Sequence, residues 1–365
     1  MVETFSSSAA GFFTSATYYI TSSTYFNTVL TCLIYILDHY FGVAFLKYYC
    51  PNYKFYVKWF VILSFCSLPL FMVFNLYVSV VLYYLFKNQK HILYDVRDEL
   101  RKRNWYKACK KITAGAWYVT AWFFHGYEIR YEDSKVKELL HDMDSDTAVM
   151  ILYYHGALPI DVYYFTMNSV LTAARQVTVV VDRFLFKVPF FSRALTFWQC
   201  IWGPKEKIIQ SLKEKEIVML SPGGAREALF SENYDLIWEN HKKEKRLGWA
   251  KCLVEATKAN QKVVVIPMFT ENLRSALDTP DFVKKNKFLR FIYDRYRWPI
   301  WPMFGGIPVK LVTYLGEKIE INSNEDEEMI FKKCKFKLEQ LIKSKHRKEK
   351  SFYSRFLQRF KFKEN

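Results

Sequence analysis

Seven consecutive apolar residues, Ala148 to Tyr154, constrain this chain more than any other feature. A run rich in Val, Ile and Tyr, with no polar alternation, predicts a strand buried on both faces, as in a helix-covered parallel sheet. The run stops at His155-Gly156, and a second hydrophobic run restarts after Pro159-Ile160-Asp161. Gly156 permits a sharp turn, and Pro159 suits the first turn of a helix, where its missing N–H costs nothing. An imidazole and a carboxylate, five residues between them, therefore arrive at a strand-to-helix junction. Open α/β sheets place their chemistry at that mouth. His155 and Asp161 read as a base and the group that orients it. The plainer alternative is a loop histidine and a helix-capping aspartate.

The pattern downstream alternates. After the strand at 148–154 come a helix at 160–175, a strand at 177–181 and a helix near 189–198. A helix at 204–215, a strand at 217–220, a helix at 245–259 and a strand at 262–268 follow, then a strand at 308–315 and a helix at 325–345. Alternation of this kind predicts an α/β domain over 125–346, a mixed sheet flanked by helices, with a first short strand from His125. No fixed-period repeat is visible.

The N-terminal third obeys another rule. Residues 1–24 are Ser- and Thr-rich with no Lys or Arg, which reads as a flexible leader. Residues 25–86 hold two apolar segments, the first interrupted by Asp38 and His39, the second uncharged from Trp59 to Phe86. A straight helix over that second segment would measure ~42 Å, against a hydrocarbon core of ~30 Å. It spans with tilt or turns back at Pro69. The expectation is a membrane-embedded helical hairpin. Lys87, Lys90, Arg97, Arg101, Lys102, Arg103 and Lys107 follow it, so the positive-inside rule sends the rest of the chain to the cytoplasm. Residues 87–124 interleave aromatics with cations and read either as a helical arm on the bilayer surface or as a connector. The tail, 347–365, repeats Phe352, Phe356 and Phe360 beside Arg355 and Arg359, a basic amphipathic pattern.

The net charge of +17 would suit nucleic acid or anionic lipid. No aromatic RNA-binding motif is present, so lipid is the partner expected and nucleic acid is not. Seven scattered cysteines without a Cys-x-x-Cys predict neither disulfides nor a zinc site, and fit a reducing compartment. No metal or bound cofactor is implied.

Two further turns carry unusual chemistry. Ser221-Pro222-Gly223-Gly224-Ala225-Arg226-Glu227 offers backbone N–H groups, a helix start and a guanidinium to an anion or oxyanion. Ile266-Pro267-Met268-Phe269-Thr270-Glu271-Asn272 ends the strand of 262–268. Ser221 lies in no Gly-x-Ser-x-Gly elbow and is not read as a nucleophile.

In this order the three turns resemble the glycerolipid acyltransferase superfamily, and within it the monoacylglycerol and diacylglycerol acyltransferase-like proteins. The resemblance rests on Tyr-Tyr-His-Gly-Ala-x-Pro-Ile-Asp at 153–161, Ser-Pro-Gly-Gly-x-Arg-Glu-Ala-Leu at 221–229 and Ile-Pro-Met-Phe-Thr at 266–270. His-Gly-Tyr-Glu at 125–128 and Gly-Gly-x-Pro-Val-Lys-Leu at 305–311 add to it. It covers about residues 25 to 345. Two departures stand out: the superfamily spaces its His and Asp by four residues, and it carries Glu and Ser where Gly223 and Glu227 stand. The loss of its basic phosphate-binding block, only loosely echoed at Gly203-Pro204-Lys205, points to an uncharged acceptor, monoacylglycerol or diacylglycerol.

The resemblance implies an endoplasmic reticulum membrane O-acyltransferase making triacylglycerol from acyl-CoA or a phospholipid acyl donor. His155 would be the general base and Asp161 its orienter. Gly156, Gly223, Gly224, Arg226 and Glu227 would serve the oxyanion or substrate. Lys187, Lys205, Lys262, Pro267 and Asn272 are candidates for donor or lipid binding. The rival readings are a lysophospholipid or wax-alcohol acyltransferase, and a non-catalytic membrane scaffold with the same fold.

Overall fold

The computed structural model describes residues 104–172, 174–187, 191–259, 261–296, 304–305 and 309–346. The expected leader (1–24), membrane hairpin (25–86), first part of the arm (87–103) and basic tail (347–365) lie outside those residues. Among the described residues, no helix is long and apolar enough to cross a membrane.

Helix α1 (Asn104–His125) buries Tyr106, Cys109, Thr113, Trp117, Ala121 and Phe124, spaced three or four apart along one stripe. That stripe packs on helix α3 and belongs to the domain core. Gly126, at φ 49°, supplies the left-handed residue that stops the helix. His125 therefore ends a helix, and the strand expected there, β1, starts at Glu128 and runs to Tyr131. Helix α2 (Ser134–His141), not among the expected elements, is capped by the Asp133 side chain and buries Val136 and Leu140.

Strand β2 (Ala148–Tyr153), all six residues buried, leads into α3 (Ile160–Leu171). Next come β3 (Val177–Val181), a 3-10 turn (Arg183–Lys187), α4 (Phe191–Phe197), β4 (Ile201–Trp202) and α5 (Lys205–Lys213). The chain continues through β5 (Ile217–Leu220), α6 (Gly224–Phe230), α7 (Gly248–Lys258), β6 (Val263–Glu271) and α8 (Leu273–Ala276). It then forms β7 (Leu277–Asp278), α9 (Asp281–Lys285), α10 (Lys287–Tyr296) and β8 (Phe304–Gly305). Strands β9 (Val312–Leu315) and β10 (Ile319–Ile321) precede α11 (Glu327–Lys345).

The main sheet is mixed, as expected, in the order β1-β9-β6-β2-β5-β3-β4, with β10 also against β6. Strands β2, β3, β4, β5 and β6 pair in parallel, while β9 and β10 run antiparallel to β6. β6 is longer than the run 262–268 suggested. Its first half pairs with β10 and its last four residues with β9, and Pro267 sits at the change of partner. No antiparallel neighbour needs an N–H there, so the proline is tolerated inside a central strand. Side chains of β2 alternate between two cores: Ala148, Met150 and Leu152 enter the larger, Val149, Ile151 and Tyr153 the smaller. The carboxyl ends of β2, β3 and β5 share one edge. His155, Asp182 and Ser221 all emerge from it.

Candidate active site

At that edge a cavity of about 710 Å³ opens, within the usual range of small-molecule sites. Its wall is mainly apolar, with Leu158, Val162, Met167, Val179, Leu195 and Trp198 among the lining residues. The polar groups on it are few: His155, Asp182, Ser221, Asn240, Arg246 and Thr279 stand out.

The His155 ring donates from Nδ1 to the Gly156 carbonyl at 2.6 Å, because a carbonyl can only accept. The proton is thereby fixed on Nδ1, which leaves the Nε2 lone pair as the basic site. Removal from water holds the imidazolium down to about 4; the Gly156 carbonyl opposes this and the Arg274 charge adds to it. The ring is therefore neutral near pH 7. Gly156 has a packing reason of its own, since a Cβ there would lie 2.6 Å from Leu273 Cδ2.

Asp161 does not bond to His155. It sits in the first turn of α3, buried, and Oδ2 accepts 2.7 Å from the Thr270 hydroxyl, which in turn meets Thr313 at 2.8 Å. Oδ1 is buried without a hydrogen bond of full geometry. Burial raises the carboxyl to about 6, against the Thr270 hydroxyl and the amides at the helix start. The expected base–orienter pair is thus not assembled here: a backbone carbonyl holds the imidazole, and a threonine holds the carboxylate.

The Pro-Gly-Gly turn does meet the His155 turn, through Glu227. This fully buried carboxylate accepts from the His155 amide at 2.8 Å, from the Ile237 amide at 2.9 Å and, at 3.4 Å, from Ser221 Oγ. Burial pushes its pKa up to about 7 in spite of those donors. Glycine at 223 makes the arrangement possible, because a Cβ would stand 2.4 Å from Glu227 Oε2. Gly224 has φ +52° and donates to Ser221 Oγ at 3.3 Å. Glu227 faces inward and does not line the cavity, so it braces the substrate wall from behind.

The cations divide differently from expectation. Arg226 is ion-paired with Asp294 of α10 and leans on Phe230. Lys205 pairs with Glu255 on the surface. Lys262 lies before β6, at the opposite edge of the sheet, beside a separate small cleft. Lys187 ends the 3-10 turn after β3. Pro267 is a strand residue, and Asn272, in the left-handed region, donates from its side chain to the Lys310 carbonyl at 2.9 Å. Two arginines that the turns did not advertise stand closer. Arg246 lines the cavity and donates from Nη1 to the Gly223 carbonyl at 2.8 Å. Buried Arg274 donates to the Glu227 carbonyl at 3.0 Å and to the Tyr154 hydroxyl. Its place in Leu273-Arg274-Ser275, just past the third turn, was the available signal. Among the described residues, no cluster of His, Cys, Asp and Glu could hold a metal ion.

No protein-family model matches the chain. Two curated relatives, each named "DGAT1/2-independent enzyme synthesizing storage lipids", are similar over nearly the whole length. The Bos taurus protein is 35% identical over 337 residues, 92% of this chain and 93% of its own. The Homo sapiens protein is 34% identical over 333 residues, 91% of this chain and 94% of its own. Among solved structures, the 1-acyl-sn-glycerophosphate (LPA) acyltransferase PlsC from Thermotoga maritima matches 78% of this chain and 97% of its own, at 13% identity and a TM-score of 0.42. Identity of about a third over nine-tenths of both chains is kinship and not a shared fold alone. This α/β chain belongs to the family of the DGAT1/2-independent enzymes synthesizing storage lipids.

Proposed function

We propose that this protein is an endoplasmic reticulum membrane O-acyltransferase, its α/β domain facing the cytoplasm, that esterifies monoacylglycerol or diacylglycerol to make triacylglycerol. One observation carries the reading: a neutral His155, its proton fixed on Nδ1, on the wall of a largely apolar cavity of about 710 Å³. The name that the relatives share supports a storage-lipid product.

In the proposed reaction the acceptor hydroxyl gives its proton to His155 Nε2 as its oxygen bonds to the donor carbonyl carbon. The tetrahedral oxyanion collects donors from the Gly223-Gly224-Ala225 turn. The bond to the leaving group then breaks, C–S for acyl-CoA or C–O for a phospholipid donor. The imidazolium returns the proton to that leaving group. No acyl-enzyme is needed. For Asp161 to take part, the Nδ1–H must leave the Gly156 carbonyl for the unpaired Asp161 Oδ1 once substrate enters, a rearrangement that this mechanism requires. Asp161 would then support the imidazolium as a carboxylate does in a hydrolase triad.

Replacing His155 with Ala in microsomes is expected to lower acyl transfer to mono- and diacylglycerol by roughly 10²–10⁴-fold, with membrane association kept. Unchanged transfer would remove the base. Parallel incubations with labelled lysophospholipid and fatty alcohol identify the acceptor, and an acceptor-independent absence of transfer by the wild type would leave the scaffold reading.

A further inference from the structure

Helices α9 and α10 present a surface that the reaction does not use. Phe282, Phe288 and Phe291 are 59%, 66% and 61% exposed, an uncommon outlay of bare phenyl surface for one short stretch. Phe288, Phe291 and Arg295 follow one another at i, i+3 and i+7, so they share a face of α10. Lys285 and Lys287 are exposed beside them, and the one exposed acid of the stretch, Asp281, faces Lys284 at 3.7 Å. Other residues of α10 are fixed to the site: Tyr293, on the far side of the helix, lines the cavity and packs edge-on to Phe230 with centroids 5.6 Å apart, and Asp294, at the flank, holds Arg226.

We propose that α9 and α10 form a docking surface for an anionic bilayer, with Phe282, Phe288 and Phe291 among the headgroups and Lys285, Lys287 and Arg295 on their charges. Charge complementarity selects this occupant. Phenyl groups interspersed with cations are the composition of an interfacial amphipathic helix. Lysine is depleted from the cores of protein–protein interfaces, which disfavours a protein seated on the same face. Docking would lay the lipid surface directly outside the helix that walls the cavity. The inference goes beyond the acyl-transfer reading and does not depend on it.

The test uses the full chain in phosphatidylcholine vesicles, with and without phosphatidylserine, each carrying a trace of diazirine-bearing phosphatidylcholine. Adducts are mapped by mass spectrometry on residues 281–296, with the exposed Met329–Phe336 region of α11 as background. The expected result is adduct formation on the three phenylalanines above that background in phosphatidylserine vesicles. It should fall roughly fivefold for each of Lys285→Ser, Lys287→Ser and Arg295→Ser, and also in the double variant Phe288→Ser, Phe291→Ser. These side chains are exposed, so unchanged thermal unfolding separates lost docking from lost folding. Wild-type adducts at background, or adducts indifferent to phosphatidylserine and to the three cations, would overturn the proposal. Zero-length crosslinks joining this peptide to a second copy of the chain would overturn it too.

Discussion

His155 and Asp161 were legible in the sequence as residues, but their partners were not. Which oxygen an imidazole faces depends on its side-chain torsions and on groups far along the chain, here a threonine 109 residues from Asp161. The motif spacing carries no trace of Thr270 reaching Oδ2, nor of the Gly156 carbonyl taking Nδ1. The two buried groups nevertheless make a clear pH statement. Asp161, raised to about 6 by burial, is mostly protonated below that pH and ionised above it. If its carboxylate supports the imidazolium, kcat/KM should climb as pH rises through about 6. His155, held near 4, is already neutral across that window and adds no limb of its own. Asp161→Asn is then expected to lose the limb together with roughly 10²-fold of the rate. A pH–rate series on detergent-solubilised wild type and variant decides it. A variant that keeps both the rate and the limb makes Asp161 a helix-end residue.

The elements that were easiest to read are those whose residues do one job. Strands β2, β5 and β6 are Val- and Ile-rich because both faces are covered, and they appear where the apolar runs predicted. The short pieces β4, β7 and β8 owe their form to neighbours, and two-residue pairings leave no periodicity to detect. Helix α10, absent from the sequence expectation although Phe288, Phe291 and Arg295 fall at helical spacing, carries Asp294, the reason Arg226 is occupied. Glu227 shows how one element braces another: α6 reaches back to hold the His155 amide at the end of β2. Its folded pKa is about 7, above its ordinary value of 4.5. The stability linked to that retained proton is fully present below the ordinary value and is lost as pH rises through about 7. The displacement corresponds to ~3 kcal/mol. Glu227→Gln, which stays neutral, should therefore lose less stability than the wild type between pH 5 and pH 8. It should also lose activity, because an amide can accept from the His155 or the Ile237 N–H but not from both in the same way. Thermal unfolding midpoints across that pH range test the first point; a wild-type slope equal to that of the variant would contradict a neutral buried carboxyl.

At the scale of the whole molecule, the sheet edge, the cavity and the acyl chain it would hold are one geometric problem. Parallel strands bring His155 and the Pro-Gly-Gly turn together, and the space between α3, α4 and the ends of β2, β3 and β5 is left to a substrate. The sequence announced the sheet and the turns. It did not announce the cavity, because an empty volume belongs to no residue and arises only where several helices fail to meet. Its depth should set which acyl chains react. Leu185, half-buried in the 3-10 turn after β3, lines the wall and can be enlarged without forcing the inner core apart. In Leu185→Trp the indole would occupy the room of about two methylenes, each worth ~0.8 kcal/mol when buried. Transfer of an eighteen-carbon chain should fall by roughly tenfold relative to a twelve-carbon chain, while the shorter chain retains most of its rate. Competition between the two labelled donors in one incubation measures that ratio directly. A ratio that stays at the wild-type value would mean that the acyl chain lies somewhere other than this cavity, even if His155 proves to be the base.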